Sequence, residues 1–385
     1  MALTILTQPP ILVLAKQPVV FTLHSDVTET PLRIVGAVVG IGGDSVQADS
    51  AGNASFDFSD YLKNIVTQRG KTASSPSVYS EVPLQVWFVF DERVGNPPET
   101  MPYLESTAFL LLDAYIPKWR IKSFYAANTN LLAYLISSKS CLTWWPVAEE
   151  KKVLPTQMEC INFLQVCSAT PITVKLDLSL WFTDGSYKFE QDIDSVPNVA
   201  YGQIVYFATG YEQIGVAGYA EMAYPDKTLL SYSVNLATGN YNTDNRISAI
   251  YSYLPVFDYI QTQRVLVFIN PFGFYEYLLC TGLSDQENSI KPETAVTDGL
   301  ALPDKLNWKT TKSDVVKVNT GFLTQVQMQW LSDLLESIEA YELIGTVMHP
   351  IVLSDVKLLV SHDADFQYYA ELEYEYAYTQ HTEQA

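Results

Sequence analysis

The chain has 385 residues, 48% of them hydrophobic and 17% charged, and its formal net charge is −20. This is an ordinary globular composition with enough length for two or three domains. The acidic balance argues against general nucleic-acid binding, which needs basic surfaces. No run approaches the roughly 20 apolar residues of a membrane-spanning helix. We therefore expect neither a nucleic-acid partner nor membrane insertion.

The N-terminal stretch, MALTILTQPPILVLAKQ, has no basic residue before its short apolar run, and Pro9 and Pro10 interrupt it. Because a secretion signal needs a basic start and a longer apolar core, we expect no signal peptide and synthesis in the cytoplasm. The cysteines form no C-x-x-C pair and the histidines are scattered. We expect free thiols, no metal site and no cofactor.

Residues 1–122 form the first predicted domain. Strands rich in Val, Phe and aliphatic residues are bounded by Gly, Pro, Asp and Ser. Their regular spacing without long helices indicates a β-sandwich. The clearest strands lie at 18–25, 32–40, 54–59, 83–92 and 106–116, with polar loops expected at 69–81 and 93–103.

A glycine-rich stretch in this domain, GAVVGIGG (36–43), superficially resembles a phosphate-binding loop. Such a loop must lead directly into a helix. Here it leads into DSVQADSAGN, whose composition is typical of turns. We interpret it as a strand followed by a glycine-rich turn.

Residues 123–262 form the second, β-rich domain. In VKLDLSLWFTDGSYKFEQDI (174–193) apolar and polar residues alternate on both sides of Asp184 and Gly185, which predicts a hairpin with a two-residue type I′ turn. Glu190, Asp192 and Asp194 follow, but they lie too far along the strand from Asp184 to share a calcium ion.

The neighbouring Trp144 and Trp145 are the other candidates of the second domain. Aromatic rings of this kind stack on sugar rings, anchor interfaces or fill cores. The sequence leaves these alternatives open, so both residues are candidates for an interface or a glycan-stacking surface.

Residues 263–385 form the third domain, which opens with VLVFINPFGFYEYLLCTG (265–282). Asn270 suits position i of a type I turn, Pro271 suits i+1, and Gly273 suits a following left-handed position. We predict a hairpin in which Glu276 is an ordinary strand carboxylate with no catalytic role.

A polar loop is expected next, at 283–300, followed by one amphipathic helix at about 324–340. Thr324 and Gln327 match a capping box. Strands are expected at 351–361 and 366–379, with Glu371, Glu373 and Glu375 on a wet face. The helix shows one apolar stripe, formed by Val326, Trp330, Leu331, Leu334, Leu335 and Ile338.

The predicted fold class is therefore mainly β, with tandem antiparallel β-sandwich domains, the last carrying one amphipathic α-helix. No G-x-S-x-G nucleophile elbow occurs. Pairs of carboxylates arise by chance among 43 acidic residues, so a glycan-degrading enzyme stays a minor alternative. We assign no catalytic residue and expect a protein that is not an enzyme.

Read together, several stretches resemble an uncharacterised family of structural proteins from phages and prophages of Bacteroidetes. They occur in the family's order through most of the chain: LAKQPVVFTLHSD, VQADSAGNASFDFSDYLKNIV, the hairpin at 265–282, GFLTQVQMQWLSDLLESIEAYELI and HPIVLSDVKLLV. The resemblance implies a virion or tail-associated component that binds copies of itself and other virion proteins. It carries over no catalytic or ligand residue. The main alternative is a carbohydrate-binding or host-adhesion module of the particle.

Overall fold

A computed structural model of the chain describes residues 3–27, 32–65, 79–81, 84–94, 99–100, 103–126, 130–239, 245–257, 263–296, 305–360, 368–377 and 380–383. Strands make up 50% and helices 13% of the chain. The prediction of a mainly-β fold is therefore confirmed. Among the described residues, no helix is long and apolar enough to cross a membrane.

The N-terminal third is built on an apolar core rich in phenylalanine. Phe21 and Phe56 of one sheet meet Phe88 and Phe90 of a second sheet, with ring centroids 4.7 to 6.0 Å apart. The elements are β1 (Leu3–Thr7), β2 (Leu12–Leu14), β3 (Val20–Ser25), β4 (Leu32–Val38), β5 (Gly42–Gln47), β6 (Asn53–Asp57), α1 (Ser59–Leu62), β7 (Tyr79–Glu81), β8 (Leu84–Val86), β9 (Phe88–Val94), β10 (Glu99–Thr100), β11 (Leu104–Glu105) and β12 (Phe109–Leu112).

Two sheets of this third face each other across that core, in the orders β1-β3-β6 and β10-β9-β4-β5, and a third has the order β2-β12-β8. The stretch 36–43 is the β4–β5 hairpin, a strand and a glycine-rich turn. A side chain at Gly36 would meet the Phe56 and Phe58 rings at 3.0 Å, and one at Gly43 would meet the Gly36 carbonyl oxygen at 2.1 Å. These glycines therefore allow close packing.

The central third contains short helices that the strand pattern did not predict, followed by a five-stranded sheet of order β13-β19-β18-β15-β16 and a sheet of order β14-β17-β7. Most pairs are antiparallel, but β2 with β12 and β13 with β19 are parallel. The elements are α2 (Lys118–Ala126), α3 (Leu131–Ser138), β13 (Glu150–Val153), β14 (Cys160–Leu164), β15 (Ile172–Phe182), β16 (Tyr187–Val199), β17 (Ile204–Ala208), α4 (Val216–Ala223), β18 (Leu229–Ala237) and β19 (Tyr251–Pro255).

The C-terminal third is an eight-stranded sheet with one helix packed on it; the main strand order is β21-β20-β24-β25-β26-β23-β22, and β27 pairs with β23. Its first two strands are buried on both faces, which explains their nearly continuous apolar sequences. The elements are β20 (Arg264–Ile269), β21 (Tyr275–Cys280), β22 (Ser284–Val296), β23 (Lys305–Asn319), α5 (Gln325–Glu336), β24 (Ala340–Ile344), β25 (Val347–Val360), β26 (Tyr368–Tyr376) and β27 (Gln380–Glu383).

Two expectations for this third need correction. Helix α5 starts with the expected capping box of Thr324 and Gln327 but ends at Glu336, so Ile338 lies beyond it and is 78% exposed. The expected polar loop at 283–300 contains β22, which pairs with β23 over its whole length. The sequence of β22, SDQENSIKPETAV, lacks the period-two apolar pattern by which strands are recognised; residues 297–300 lie outside the described residues.

The three predicted domains share contacts. Strand β7 from the first range pairs with β17 from the second. The largest apolar cluster contains Leu12, Tyr206 and Tyr374, one from each range. Boundaries at 122 and 262 stay a prediction, and the described structure joins the three ranges through one core.

Candidate functional site

The turn between β20 and β21 is a type I turn followed by a left-handed glycine. The Gly273 N–H donates to the Asn270 carbonyl (2.8 Å), and the Asn270 N–H donates to the Phe274 carbonyl (2.8 Å). Gly273 has φ +84°, which glycine adopts without strain. The Asn270 side-chain oxygen accepts the N–H groups of Phe272 and Phe274 at 2.9 and 3.0 Å. Asn270 and Pro271 thus occupy positions i and i+1.

This turn is buried, and Asn270 joins it to a distant segment. Asn270 is 2% exposed. Its Nδ2 donates to the Leu142 carbonyl at 2.9 Å and to Glu276 Oε1 at 2.7 Å. The Asn270 side chain therefore accepts N–H groups of its own turn. It also donates to the loop before β13 and to the Glu276 carboxylate of β21.

Glu276 is buried and accepts hydrogen bonds from three side chains, so it is not the ordinary strand carboxylate expected from the sequence. It is 5% exposed and lies on the face of β21 that packs against α5, opposite Phe268. Besides Asn270, Thr143 Oγ1 donates to Oε1 at 2.5 Å and Trp330 Nε1 donates to Oε2 at 2.5 Å. A buried carboxylate is tolerated when donors surround it in this way.

A second buried carboxylate lies beside the first. Lys151 Nζ is 2.9 Å from Glu159 Oε2, with both side chains under 10% exposed. Gln157 Nε2 donates to Glu159 Oε1 at 2.7 Å. Lys151 points inward because its position on β13 pairs with the buried Tyr253 of β19. Burial raises the pKa of the Glu159 carboxyl, and the Lys151 ammonium opposes that shift.

The two carboxylates line one small cavity of about 30 Å³, together with Thr143, Lys151 and Tyr253. That volume accommodates about one water molecule, whereas ligand pockets are typically about 300 to 1,000 Å³. Both oxygens of each carboxylate already accept hydrogen bonds. This buried cluster, formed by Glu276, Glu159 and their hydrogen-bond donors, links a hairpin, a loop, a strand and a helix. Its cavity is too small for a sugar ring.

Trp144 and Trp145 belong to this buried region, so among the alternatives that the sequence left open the structure supports a core position and not a glycan-stacking or interface surface. They are 1% and 9% exposed. The Trp144 ring centroid lies 4.8 Å from that of Phe272, and the Trp145 centroid lies 4.8 Å from that of Trp330. Neither ring offers a free face.

Asp184 and Gly185 lie in an exposed turn between β15 and β16. The Gly185 N–H donates to the Phe182 carbonyl (2.9 Å) and the Phe182 N–H to the Ser186 carbonyl (3.0 Å). Gly185 has φ +84°, and Asp184 does not have positive φ. The turn is therefore a type I turn with a left-handed glycine, not the expected type I′ turn, which needs positive φ at both central residues.

The acidic residues near this turn do not converge. Asp184 Oδ2 is 2.9 Å from Lys227 Nζ, and Asp192 Oδ2 is 2.7 Å from Lys175 Nζ. Within the described residues, no group of three or more His, Cys, Asp or Glu side chains could hold a metal ion.

Asp333 on α5 is a buried carboxylate that the sequence analysis missed. It is fully buried; Trp119 Nε1 donates to Oδ1 at 2.9 Å, and Oδ2 has no hydrogen-bond partner in the described part of the chain. Burial, with smaller contributions from Glu276 and Glu336, raises the pKa of the Asp333 carboxyl to about 8. The sequence signal for the burial of Asp333 was its position three residues after Trp330, on the buried side of α5.

Comparison with known proteins identifies no family, since no family model and no curated protein matches this chain. Among solved structures, a chain from the tail of an empty GTA particle with C6 symmetry matches at 11% identity, over 33% of this chain and 99% of that one, with a TM-score of 0.24. A family 64 laminaripentaose-producing β-1,3-glucanase from Paenibacillus barengoltzii matches at 8% identity, over 68% of this chain and 62% of that one, with a TM-score of 0.12. Neither likeness is close enough to support a conclusion about this chain.

Proposed function

We propose that this chain is a structural protein of a phage virion, a tail or baseplate component that works by protein–protein assembly and not by catalysis. The resemblance of its sequence to a Bacteroidetes phage and prophage family suggests the setting. The observation that carries the assembly role is an exposed apolar sheet face beside an unpaired strand edge.

The apolar face is the outer surface of β4 and β9. The inner residues of these strands fill the phenylalanine core, so a sheet with one wet face would carry polar residues outside. The outer residues include Val35, Ala37 and Val89, which lie above a shallow depression of about 700 Å³. The charged Arg33, Asp91 and Arg93 lie on the same face, next to this apolar patch. Two residues at its rim, Ile41 and Tyr103, are 41% and 70% exposed. Such a patch is typical of an interaction surface.

The edge strand next to this face is β5. It ends the sheet order β10-β9-β4-β5, so one side of its backbone has no strand partner in the described structure. Its sequence, GGDSVQ, contains neither lysine nor proline, the residues that commonly block strand addition. A neighbouring subunit can therefore extend the sheet and cover the apolar face at once.

The buried cluster supports the non-enzymatic part of the proposal. Its cavity of about 30 Å³ excludes any sugar, and its two carboxylates are occupied in holding the fold together. The proposed partners are copies of this chain and other virion proteins, and the proposed location is the virion, after synthesis in the bacterial cytoplasm.

The test has two parts, one on the particle and one on the purified protein. Mass spectrometry and electron microscopy of particles encoded by the neighbouring genes should find the chain in several copies. In sedimentation experiments the purified protein should self-associate, and Ile41→Asp should weaken this association. Ile250→Asp is the matched control, because Ile250 is also 41% exposed but lies in a loop away from this face. Absence from particles, together with a strictly monomeric protein, would overturn the proposal.

A further inference from the structure

A second surface, on the outer face of the five-stranded sheet, combines exposed aromatic rings with recessed hydroxyl groups. Along β15, Leu176, Leu178 and Leu180 point into the core with no exposed surface, whereas Trp181 points outward. Trp181 pairs with Tyr187 of β16, and the two are 45% and 42% exposed. Their ring centroids are 4.5 Å apart at an interplanar angle of 46°.

Serine residues of the neighbouring strand lie beside these rings. In the register of β15 with β18, Trp181 is opposite Ser231 and Ser179 is opposite Ser233. Ser231 and Ser233 are each only 5% exposed. Neither hydroxyl has a hydrogen-bond partner among the described residues, yet neither oxygen is enclosed. Because neither oxygen is enclosed, each hydroxyl can exchange a water molecule for a ligand that donates and accepts hydrogen bonds.

Stabilisation of the hairpin explains the pairing of the two aromatic rings but not the serines beside them. A cross-strand aromatic pair contributes about 0.2 to 1 kcal/mol to a sheet, which is reason enough for Trp181 to face Tyr187. It gives no reason for partnerless serines next to the rings. Ser179, by contrast, is already engaged, since its Oγ lies 3.2 Å from the Tyr187 hydroxyl.

The charges around the surface favour an uncharged ligand. At the turn Asp184 is paired with Lys227. Lys188 and Glu190 of β16 are opposite Leu180 and Leu178, so they lie on the inner side of the sheet and not beside the rings. A ligand on the rings therefore meets aromatic faces and hydroxyls, with the paired Asp184 and Lys227 at the turn. The net charge of −20 also opposes nucleic acid, which would otherwise be a second stacking ligand.

We propose that this surface binds a neutral glycan, with Trp181 and Tyr187 stacking on the apolar face of a sugar ring and the Ser231 and Ser233 hydroxyls bonding its hydroxyl groups. A pyranose combines a flat apolar face with a rim of hydroxyls, which is the chemistry that aromatic and hydroxyl side chains complement. The proposal does not depend on the assembly role, because the two surfaces lie on different sheets.

The test uses the full chain and a panel of neutral hexasaccharides: maltohexaose, cellohexaose, xylohexaose and chitohexaose. Calorimetry and NMR line broadening should show binding of at least one with a dissociation constant of about 0.1 to 1 mM. Trp181→Ala should weaken that binding at least about tenfold. Because this change could also loosen the hairpin, the double variant Ser231→Ala and Ser233→Ala tests the hydroxyls alone, with an expected loss of about threefold to tenfold.

Tyr201→Ala is the matched control, since Tyr201 is an exposed ring beyond the far end of β16, and it should bind as the unchanged protein does. The proposal is overturned if no panel member binds at about 10 mM, if the serine variant keeps full affinity, or if Tyr201→Ala loses as much affinity as Trp181→Ala.

Discussion

The turns of the β15–β16 and β20–β21 hairpins share one backbone geometry in opposite surroundings. Each is a type I turn closed by a glycine at φ +84°. The turn at Asp184 is in solvent, with that side chain 50% exposed. The turn at Asn270 is buried and bonded to a segment 128 positions away in sequence. Local sequence chemistry sets the shape of a turn, and distant packing decides how much stability depends on it.

The largest expected effect comes from removing Glu276, the carboxylate of β21 that accepts a hydrogen bond from the buried turn. Glu276→Ala leaves the side-chain donors of Thr143, Asn270 and Trp330 without their shared partner. We expect a loss of about 3 to 5 kcal/mol in the free energy of unfolding, measured by urea denaturation. Glu371→Ala, at an exposed carboxylate of β26, is the control and should change stability little. Equal losses at both sites would show that the buried cluster does not hold the hairpin.

The next prediction concerns Asp333, the buried carboxylate of α5. Because burial raises the pKa of Asp333 from 3.8 to about 8, the unfolded state releases its proton first as pH rises. The Asp333 contribution therefore lowers stability progressively from about pH 4 to pH 8. Asp333→Asn keeps an acceptor for Trp119 and should stabilise the protein by about 3 kcal/mol at pH 7.

Urea unfolding at several pH values between 4 and 8.5 checks this result. The difference between Asp333→Asn and the unchanged protein should be smallest near pH 4 and grow with pH. Asp226→Asn, at an exposed position, should show no such growth. A difference that is constant across the range would mean that Asp333 does not titrate with a raised pKa.

A matched pair of glycine substitutions compares the two turns directly. Gly185→Ala should cost about 1 to 2 kcal/mol, because an L-residue is strained at positive φ, while the space around an added Cβ there is open. Gly273→Ala carries the same backbone strain in a turn whose neighbours are buried, so its loss should be larger, and that of Gly273→Val larger still. Equal losses in urea unfolding would show that the surroundings do not matter.

The same contrast explains how far the sequence could predict this protein. Period-two apolar patterns and Asn, Pro, Asp and Gly at turn positions predicted both hairpins, and Thr324 with Gln327 predicted the start of α5. These signals act between residues a few positions apart. The burial of Glu276 depends on Thr143 and Trp330, which lie 133 and 54 positions away, and no local pattern carries that information. The burial of Lys151 and Glu159 likewise depends on distant strands, whereas the position of Asp333 three residues after Trp330 was a local signal.

The smallest expected effect is at the exposed turn. The Ser186 hydroxyl, with Lys227 next, holds the pKa of the Asp184 carboxyl below its ordinary 3.8. A lowered folded-state pKa gives a contribution that is present above about pH 4 and lost as pH falls. An NMR titration should find Asp184 titrating below 3.8, and Ser186→Ala and Lys227→Ala should each raise its pKa. Asp184→Ala should leave the urea midpoint at pH 7 almost unchanged, since solvent screens exposed ion pairs. A large loss there would mean that the exposed turn, like the buried one, is held by its side chain.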